Sequence, residues 1–585
     1  MRLRPVLLAT CVAVPIAVGA AAQQEADRRL DAAIARFRAA LDPGDSLDIG
    51  QRRVDPVTGE ATLSRVTLRH GNSTTTVEEV NLRDIGETRV GRATLRGLRG
   101  SDGAPAAAPA PAPAPSAAPG TKGPVAAPAP TPGSAAPAGG TAVMTIGRVD
   151  LTGLNLPNAA GGPRVDWATA AVDSMVVETV GFDIPNSGRA EAARLSLTGY
   201  TPGAAREALV EGMSFVEDPA KGQGRMRLGR ARLTGAVLPQ IGQPFDPWSF
   251  AADSAVVEGA ALNVPQENVE MEVGRVQVDG WGEGRLTSAR LEGFRMAGTS
   301  RDTGPIDMRL GRFAFNGIAA RDTALAIVNQ TNPPQAAPGQ AQGAEAEGFT
   351  FSMQGRQVAA IGAIRARNDW DVTTPTTQIG RLTVEGVAVD LPPEAGGAFL
   401  QGMGYQRLSG GLENVTRLMR PTGQVVADPF NIRVDGMGTL GFTVDLRGYQ
   451  IPQPGTPAPK PEDFMAMLAP LQVASMTIRY TDEGLIPRLV TQQARSTRMQ
   501  EAQLREQFAQ MALTAPVPGS TGKDSPNIAA IRQALASFAR QPGTIEFAIR
   551  PRQPMPLLEF MNLSSMQPAQ VAERLNLTAT ASPRR

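Results

Sequence analysis

Across the middle of the chain, apolar and polar residues alternate in short runs. In IGRVDLTG (146–153), Val149 and Leu151 fall on one side and Arg148, Asp150 and Thr152 on the other, the period of a half-buried β-strand. The same pattern recurs as VGRATLRG from Val90, LGRARLTG from Leu228, VGRVQVDG from Val273, LGRFAFNG from Leu310 and IGRLTVEG from Ile379, while AARLSLTG from Ala192 keeps the frame. From Ile146 the consecutive spacings are 46, 36, 45 and 37 residues, which defines a tandem unit of about 82 residues made of two unequal halves. DSMVVETVGFDIP from Asp173 and DSAVVEGAALNVP from Asp253 repeat with a matching period of 80 residues. The first glycine sets Ile146 and Val149 an odd step apart, so a bulge or sharp bend at Gly147 is needed to keep both on the buried face. The closing glycine is expected to repeat the device. Weaker copies at 254–264, 288–294, 357–364 and 432–446 bring the strand spacing to 20–25 residues. The expected fold is mainly β: a tandem-repeat antiparallel twisted sheet or β-solenoid, with a small C-terminal α+β module.

Other stretches break the alternation. Residues 1–22 carry two arginines, an apolar run and Ala20-Ala21-Ala22, the build of a secretory signal peptide, with an uncleaved anchor as the alternative. Residues 23–100 are expected to hold a helix, with Leu30, Ile34, Phe37 and Leu41 on one face, and then a first β segment. Residues 101–141 are almost wholly Ala, Pro, Gly and Ser and read as a mobile linker. The repeat region spans 142–330, interrupted by a flexible insertion at 331–347, and continues over 348–450. A second linker at 451–461 precedes the C-terminal module, 462–585. There a helical run over 485–513 places Leu504, Phe508, Met511 and Ala512 in phase. A further helix starts at Ser525-Pro526, with Ile528, Ile531, Leu535 and Phe538 along one face, followed by the strand GTIEFAIRP from Gly543. Paired helices of this kind would cap an open end of the sheet.

Composition narrows the chemistry. The formal charge is +1 and aromatics make up 4%, so no nucleic-acid partner is expected. One Cys (Cys11) and one His (His70) exclude Cys-based zinc sites, intrachain disulfides and two-histidine metal motifs, and no metal site or cofactor is expected. GMGTLG at 436–441 has dinucleotide-loop spacing, but an alternating strand follows it where the fingerprint requires a helix. No phosphate loop, nucleophile elbow or calcium loop occurs, so no catalytic residue is assigned and the protein is read as a non-enzyme. His70, in RHGNSTTT, and the acidic pairs Asp369/Asp371 and Asp482/Glu483 are read as solvated groups at turns. The repeated arginines Arg92, Arg148, Arg230, Arg275, Arg312 and Arg381 admit two readings. As a positive stripe they suit phosphate or carboxylate head groups, with Arg148, Arg230, Arg275, Arg312 and Arg381 as the candidate ligand-binding set. As ordinary polar-face residues they pair with Asp173, Glu178, Asp253 and Glu258 of the intervening strands.

The signal, the [VIL]-G-R strands, the Pro-rich breaks and the C-terminal TDEGLIPRLV, FARQPGTIEFAIRP and PMP stretches resemble uncharacterised exported proteins of Gram-negative bacteria. In overall texture, over residues 142–450, the chain resembles AsmA-like envelope proteins. That resemblance implies a long β-groove handling lipid or supporting the outer envelope. The expectation is therefore an exported protein of the periplasm or cell envelope that binds lipid or another amphiphilic envelope component, with membrane association open. The alternative is a structural or adhesive scaffold that contacts other proteins. Sequence leaves the oligomeric state undetermined.

Overall fold

The computed structural model describes residues 20–584 except 42–43, 56–57, 87, 103–141, 158–168, 186, 218–222, 238–247, 249, 301–302, 391–396, 459, 461–462 and 519–523. The expected signal peptide lies outside the described residues except for 20–22, and the expected linker at 101–141 except for 101–102. The chain forms two units: Met1–Asp246 with Val257–Gln266, and Pro247–Val256 with Glu267–Arg585.

The first unit holds helix α1 (Ala20–Ala40) and strands β1 (Ser46–Val54), β2 (Ala61–His70), β3 (Ser73–Ile85), β4 (Arg89–Asp102), β5 (Val143–Asn155), β6 (Val172–Ile184), β7 (Gly188–Thr201), β8 (Ala204–Glu217) and β9 (Arg225–Val237). The division between the units falls inside β10 (Ala252–Val264). From β1 to β9 each strand lies antiparallel to its sequence neighbour. Period-2 strands with one apolar face need a cover, and over β2–β6 α1 provides it. Leu30, Ala33, Ile34 and Phe37 are buried with Leu63, Leu82, Leu95, Val149 and Val177 in one cluster.

The second unit continues with β11 (Val269–Trp281), β12 (Leu286–Ser300), β13 (Gly304–Ile318), β14 (Gln342–Met353), β15 (Arg356–Trp370), β16 (Thr377–Asp390), β17 (Arg407–Met419), β18 (Gln424–Val434), β19 (Gly438–Arg447) and β20 (Gln472–Asp482). From β11 to β20 these too are antiparallel in sequence order. The antiparallel sheet is therefore the fold, and the β-solenoid alternative, which stacks parallel coils, is set aside. Short helices α2 (Ala320–Val328), α3 (Gly397–Gly402) and α4 (Phe464–Leu468) sit in the connections.

The repeated glycines form a seam. Reading the register across β11–β16, Gly274, Gly293, Gly311, Gly348, Gly362 and Gly386 fall opposite one another, one per strand. The even strands hold their seam residue in the left-handed region: Gly293 at φ +66°, Gly348 at +68° and Gly386 at +64°. In the first unit Gly97, Thr179 and Gly212 do the same on β4, β6 and β8. The bend shifts the pleat by one residue in every strand at once, so pairing stays in register while the apolar face is kept. Leu63 and Val66, Val77 and Val80, Leu95 and Leu98, Ile146 and Val149, and Val177 and Val180 are all buried despite their three-residue spacing. The closing glycine repeats the bend on the odd strands, with Gly153 at φ +62° beneath the Asp173 side chain.

Several sequence boundaries shift. The insertion at 331–347 ends earlier, since β14 begins at Gln342. The linker at 451–461 separates nothing: β19 pairs directly with β20 across it. The C-terminal strands β21 (Gly543–Ile549) and β23 (Thr578–Pro583) extend the same sheet, while β22 (Met555–Pro556) pairs with the start of β20. The single helix expected over 485–513 is two, α5 (Leu485–Thr497) and α6 (Glu501–Thr514), broken where Arg498 turns left-handed at φ +57°. Phe508 and Met511, expected on the apolar face, are exposed, whereas Leu504 is buried.

Helix α7 (Pro526–Arg540) starts as expected, with the Ser525 hydroxyl accepting from the Ile528 N–H at 3.4 Å. Its Ile528 is buried and Phe538 meets Tyr480 edge-on at 6.1 Å, but Leu535 is exposed. Helices α8 (Leu557–Met561) and α9 (Pro568–Arg574) complete the module. Arg540 donates to Glu506 at 2.8 and 2.9 Å, tying α7 to α6. Those bonds, with one from Gln510, hold the Glu506 carboxyl down to about 2. A depressed carboxylate contributes fully above its ordinary range near 4.5, and the contribution is lost as pH falls towards 2. Amide-exchange protection of α6 and α7 is expected to fall across that window in the native chain, and to change less in Glu506→Gln.

Candidate functional site

The two faces of the second unit's sheet differ in chemistry. On one face, Val276, Leu291, Phe313, Ala346, Ile364, Val384 and Leu412 oppose one another in a single row across β11–β17. Beside it run Val278, Ala289, Phe315, Ala344, Ala366 and Leu382, and beyond the seam lie Val273, Phe294, Leu310, Phe349 and Ile361. In the first unit the corresponding rows of β2–β6 lie under α1, while those of β7–β9 are half-buried. In the second they are half-buried: among the described residues of β11–β19, Leu286 is the one large apolar side chain that is buried, and Phe313 keeps 37% of its surface. An open cleft of about 350 Å³ lies over β13–β17. Ile318, Ala344, Ala366 and Leu382 give it an apolar wall, and Gln342, Asn368, Asn414 and Thr416 a polar edge, with Arg367 and Arg381 also lining it. Asn414 and Thr416 hydrogen-bond one another, and Gln342 donates to the Gly317 carbonyl at 3.1 Å.

The candidate arginines lie on the charged face, just past the seam glycine, and they are interleaved with acids. Across β3–β9 the row reads Glu79, Arg96, Arg148, Glu178, Arg194, Glu211, Arg230. Across β11–β14 it reads Arg275, Glu292, Arg312, Glu347. The row is a ladder of nearly alternating sign, so it is not a uniformly positive stripe. Arg148 donates to Asp150 at 2.6 and 2.9 Å; burial alone would raise the Asp150 carboxyl, but the bonds from Arg148 and Thr94 leave it below the usual range. Arg230 is 3.8 Å from Glu211, Arg275 donates to Gln277 at 3.0 Å, and Arg312 lies 3.6 and 3.9 Å from Glu345 and Glu347. Arg365 is held by Glu345, Glu347 and Glu385 at 2.9–3.0 Å, and these three carboxylates raise its already high pKa.

Arg381 does not join the ladder. It faces Arg367 and Val415 and lies 3.7 Å from Asp369. Its motif copy lies on β16, which runs opposite to β11 and β13, the strands carrying Arg275 and Arg312. The closing Gly386 therefore takes the seam position, and Gly380 is left in the second row. Of the ladder's acids the sequence singles out Glu178; Glu211, Glu292 and Glu347 carry a further signal, the Glu-Gly pair at 211–212, 292–293 and 347–348, the antiparallel complement of Gly-Arg, which Glu79 lacks.

The remaining candidates have structural partners. Asp482 is not a solvated turn acid: it is 3% exposed, accepts from the Ile486 N–H at 2.8 Å and the Tyr480 hydroxyl at 3.1 Å, and so anchors the start of α5. Asp371 accepts from Thr373 and Thr374, which lowers its carboxyl, and Asp369 binds Arg367 at 2.6 Å. His70, the last residue of β2, sits 2.5 Å from Asp45. The strand β19 follows Gly436-Met437, leaving no helix for a dinucleotide. No cluster of three metal-ligating His, Cys, Asp or Glu occurs among the described residues. Among them, no helix is long and apolar enough to cross a membrane.

No curated protein matches the chain. A family model described only as "Uncharacterized protein" matches residues 431–582, so the stretch from β18 to β23, running through the 451–461 segment, is similar to that family.

Proposed function

We propose that this is a non-enzymatic exported protein of the periplasm or cell envelope whose second unit binds the acyl chains of lipids or other amphiphiles along the apolar face of its sheet. The observation that supports this reading is the half-buried apolar face of β11–β17, beside a cleft with an apolar wall and a polar edge. Apolar rows of this length facing water are costly, at roughly 25 cal/mol per Å², and an acyl chain would relieve that cost without needing directional partners. The AsmA-like texture points the same way. In this reading head groups meet the polar edge of the cleft, while the charged ladder on the opposite face is satisfied by its own pairing.

The test is lipid analysis of full-length protein purified without harsh detergent. Co-extracted lipid above a control protein is expected. Ile364→Glu with Val384→Glu should strip most of it, whereas Arg312→Gln on the charged face should not. No lipid on the native chain would overturn the reading.

One feature favours a scaffold instead. Among the described strands β1 pairs only with β2, which leaves an edge that a partner strand could extend. Crosslinking to proteins alone, with no lipid, would favour that alternative.

A further inference from the structure

The connections after β11, β13, β15, β17 and β19 leave the second unit's sheet at one end, because antiparallel strands alternate in direction. That end carries the most exposed large apolar side chains of the described chain. Val372 in the β15–β16 turn is 97% exposed, and Val328 and Ile327 at the end of α2 are 78% and 73% exposed. Met465 and Met467 of α4, in the β19–β20 connection, are also exposed.

The loops bearing these residues are tied to one another. Asn332 N–H donates to the Thr456 carbonyl and Ala458 N–H to the Gln330 carbonyl, each at 2.8 Å, so the β13–β14 and β19–β20 connections are stitched together. Arg420, in the β17–β18 turn, reaches Gln335 and lies 5.2 Å over the Trp370 ring. Apolar points held on bonded loops are fixed outward, since hydrogen bonds lost on collapse would oppose burying them.

Two further features say what these points meet. Long uncharged stretches run through these loops: residues 323–344, 372–380 and 448–459 contain no Asp, Glu, Lys or Arg, in a chain with 19% charged residues, while Arg321, Asp322, Asp371 and Lys460 flank them and Arg420 lies in the neighbouring β17–β18 turn. Behind them sit amphipathic aromatics. Trp281 and Trp370 end β11 and β15, Trp248 stacks on Trp281 at 5.8 Å, and Tyr449 follows β19. The whole chain has four Trp and four Tyr. Apolar tips, then uncharged loop stretches, then Trp and Tyr is the order of environments from the acyl boundary outward through the head-group layer. A protein partner would favour one contiguous patch, whereas a fluid bilayer accepts separate tips.

We propose that this end of the second unit is a membrane-docking surface, in which Ile327, Val328 and Val372 insert into the interface of a lipid bilayer and Trp281 and Trp370 lie at head-group level. The cleft over β13–β17 opens among residues at the same strand ends, Ile318, Gln342 and Asn368, so docking would place its mouth beside the bilayer. Docking is independent of whether the apolar face itself holds lipid.

The test is flotation of the full-length protein with phosphatidylcholine vesicles, comparing the native chain with Ile327→Asp, Val328→Asp, Val372→Asp combined. The native chain should float, with little change on raising salt, because apolar insertion is not screened. The triple variant should lose about tenfold or more in vesicle affinity while keeping its melting temperature, since all three side chains face solvent. Bromine-labelled acyl chains should quench the native tryptophan emission. A native chain that stays unbound, or a triple variant that floats equally well, overturns the proposal. Vesicle binding by a protein that carries no co-extracted lipid would remove the amphiphile reading and leave the docking surface standing.

Discussion

Phe37→Ala is expected to destabilise the first unit by about 3–5 kcal/mol, the cost of removing a buried ring and leaving a cavity. Phe37 is 4% exposed and belongs to the cluster in which α1 meets β2–β6. Leu30, Ala33 and Ile34 are the other buried α1 residues of that cluster, and Phe37 is the largest of the four, so its loss opens the widest gap. The second unit has separate clusters, around Val490 and Leu504, Ile549 and Met555, and Ile528. Calorimetry should therefore show one thermal transition falling by about 10 °C or more and another unmoved. If both shift together, the units are not energetically separate. If neither shifts, α1 is not the cover.

Gly293→Val is expected to cost the second unit about 3 kcal/mol. At φ +66° a β-branched residue is strained by about 1–3 kcal/mol, and this strain carries the cost, since an added Cβ would meet the opposing Gly274 backbone at an ordinary contact distance of 3.5 Å. The informative control is Gly380→Ala. Gly380 belongs to the same aliphatic-Gly-Arg motif, yet its φ is ordinary and the nearest atom to an added methyl would be the Thr416 carbonyl oxygen at 3.9 Å. That variant should be nearly neutral in urea unfolding. Equal losses at the two positions would mean that the motif, and not the left-handed seam, sets the cost.

That contrast also marks how far the sequence could be read. Alternation in IGRVDLTG identified a strand, and the odd step between Ile146 and Val149 required a bend at the seam. Both follow from local geometry. The strand direction of each copy was not legible, because two glycines six residues apart serve a strand running either way. Arg381 shares its motif with Arg148, Arg230, Arg275 and Arg312, although β16 runs opposite to β11 and β13. The alternating ladder is half visible in Glu178 and becomes complete only when register places Glu211, Glu292 and Glu347 beside the arginines. Long-range docking left the least trace. Pro452–Pro461 has the composition of a linker, but its carbonyls and amides pair with residues 330–335 a hundred positions earlier. Whether an apolar strand face is covered also depends on a partner element. That is why the sequence of β11–β17 resembles that of β4–β6, while the latter lie under α1 and the former are half-exposed.

The most direct measurement is photocrosslinking of a lipid carrying a reactive group on its acyl chain to the full-length protein, followed by mass mapping of the labelled residues. Labels are expected on the apolar rows of β11–β17, among Phe313, Ile364, Val384 and their neighbours, and none on Arg312, Glu347 or Arg365 of the opposite face. Labelling confined to the charged face, or none above that of a control protein, would contradict it.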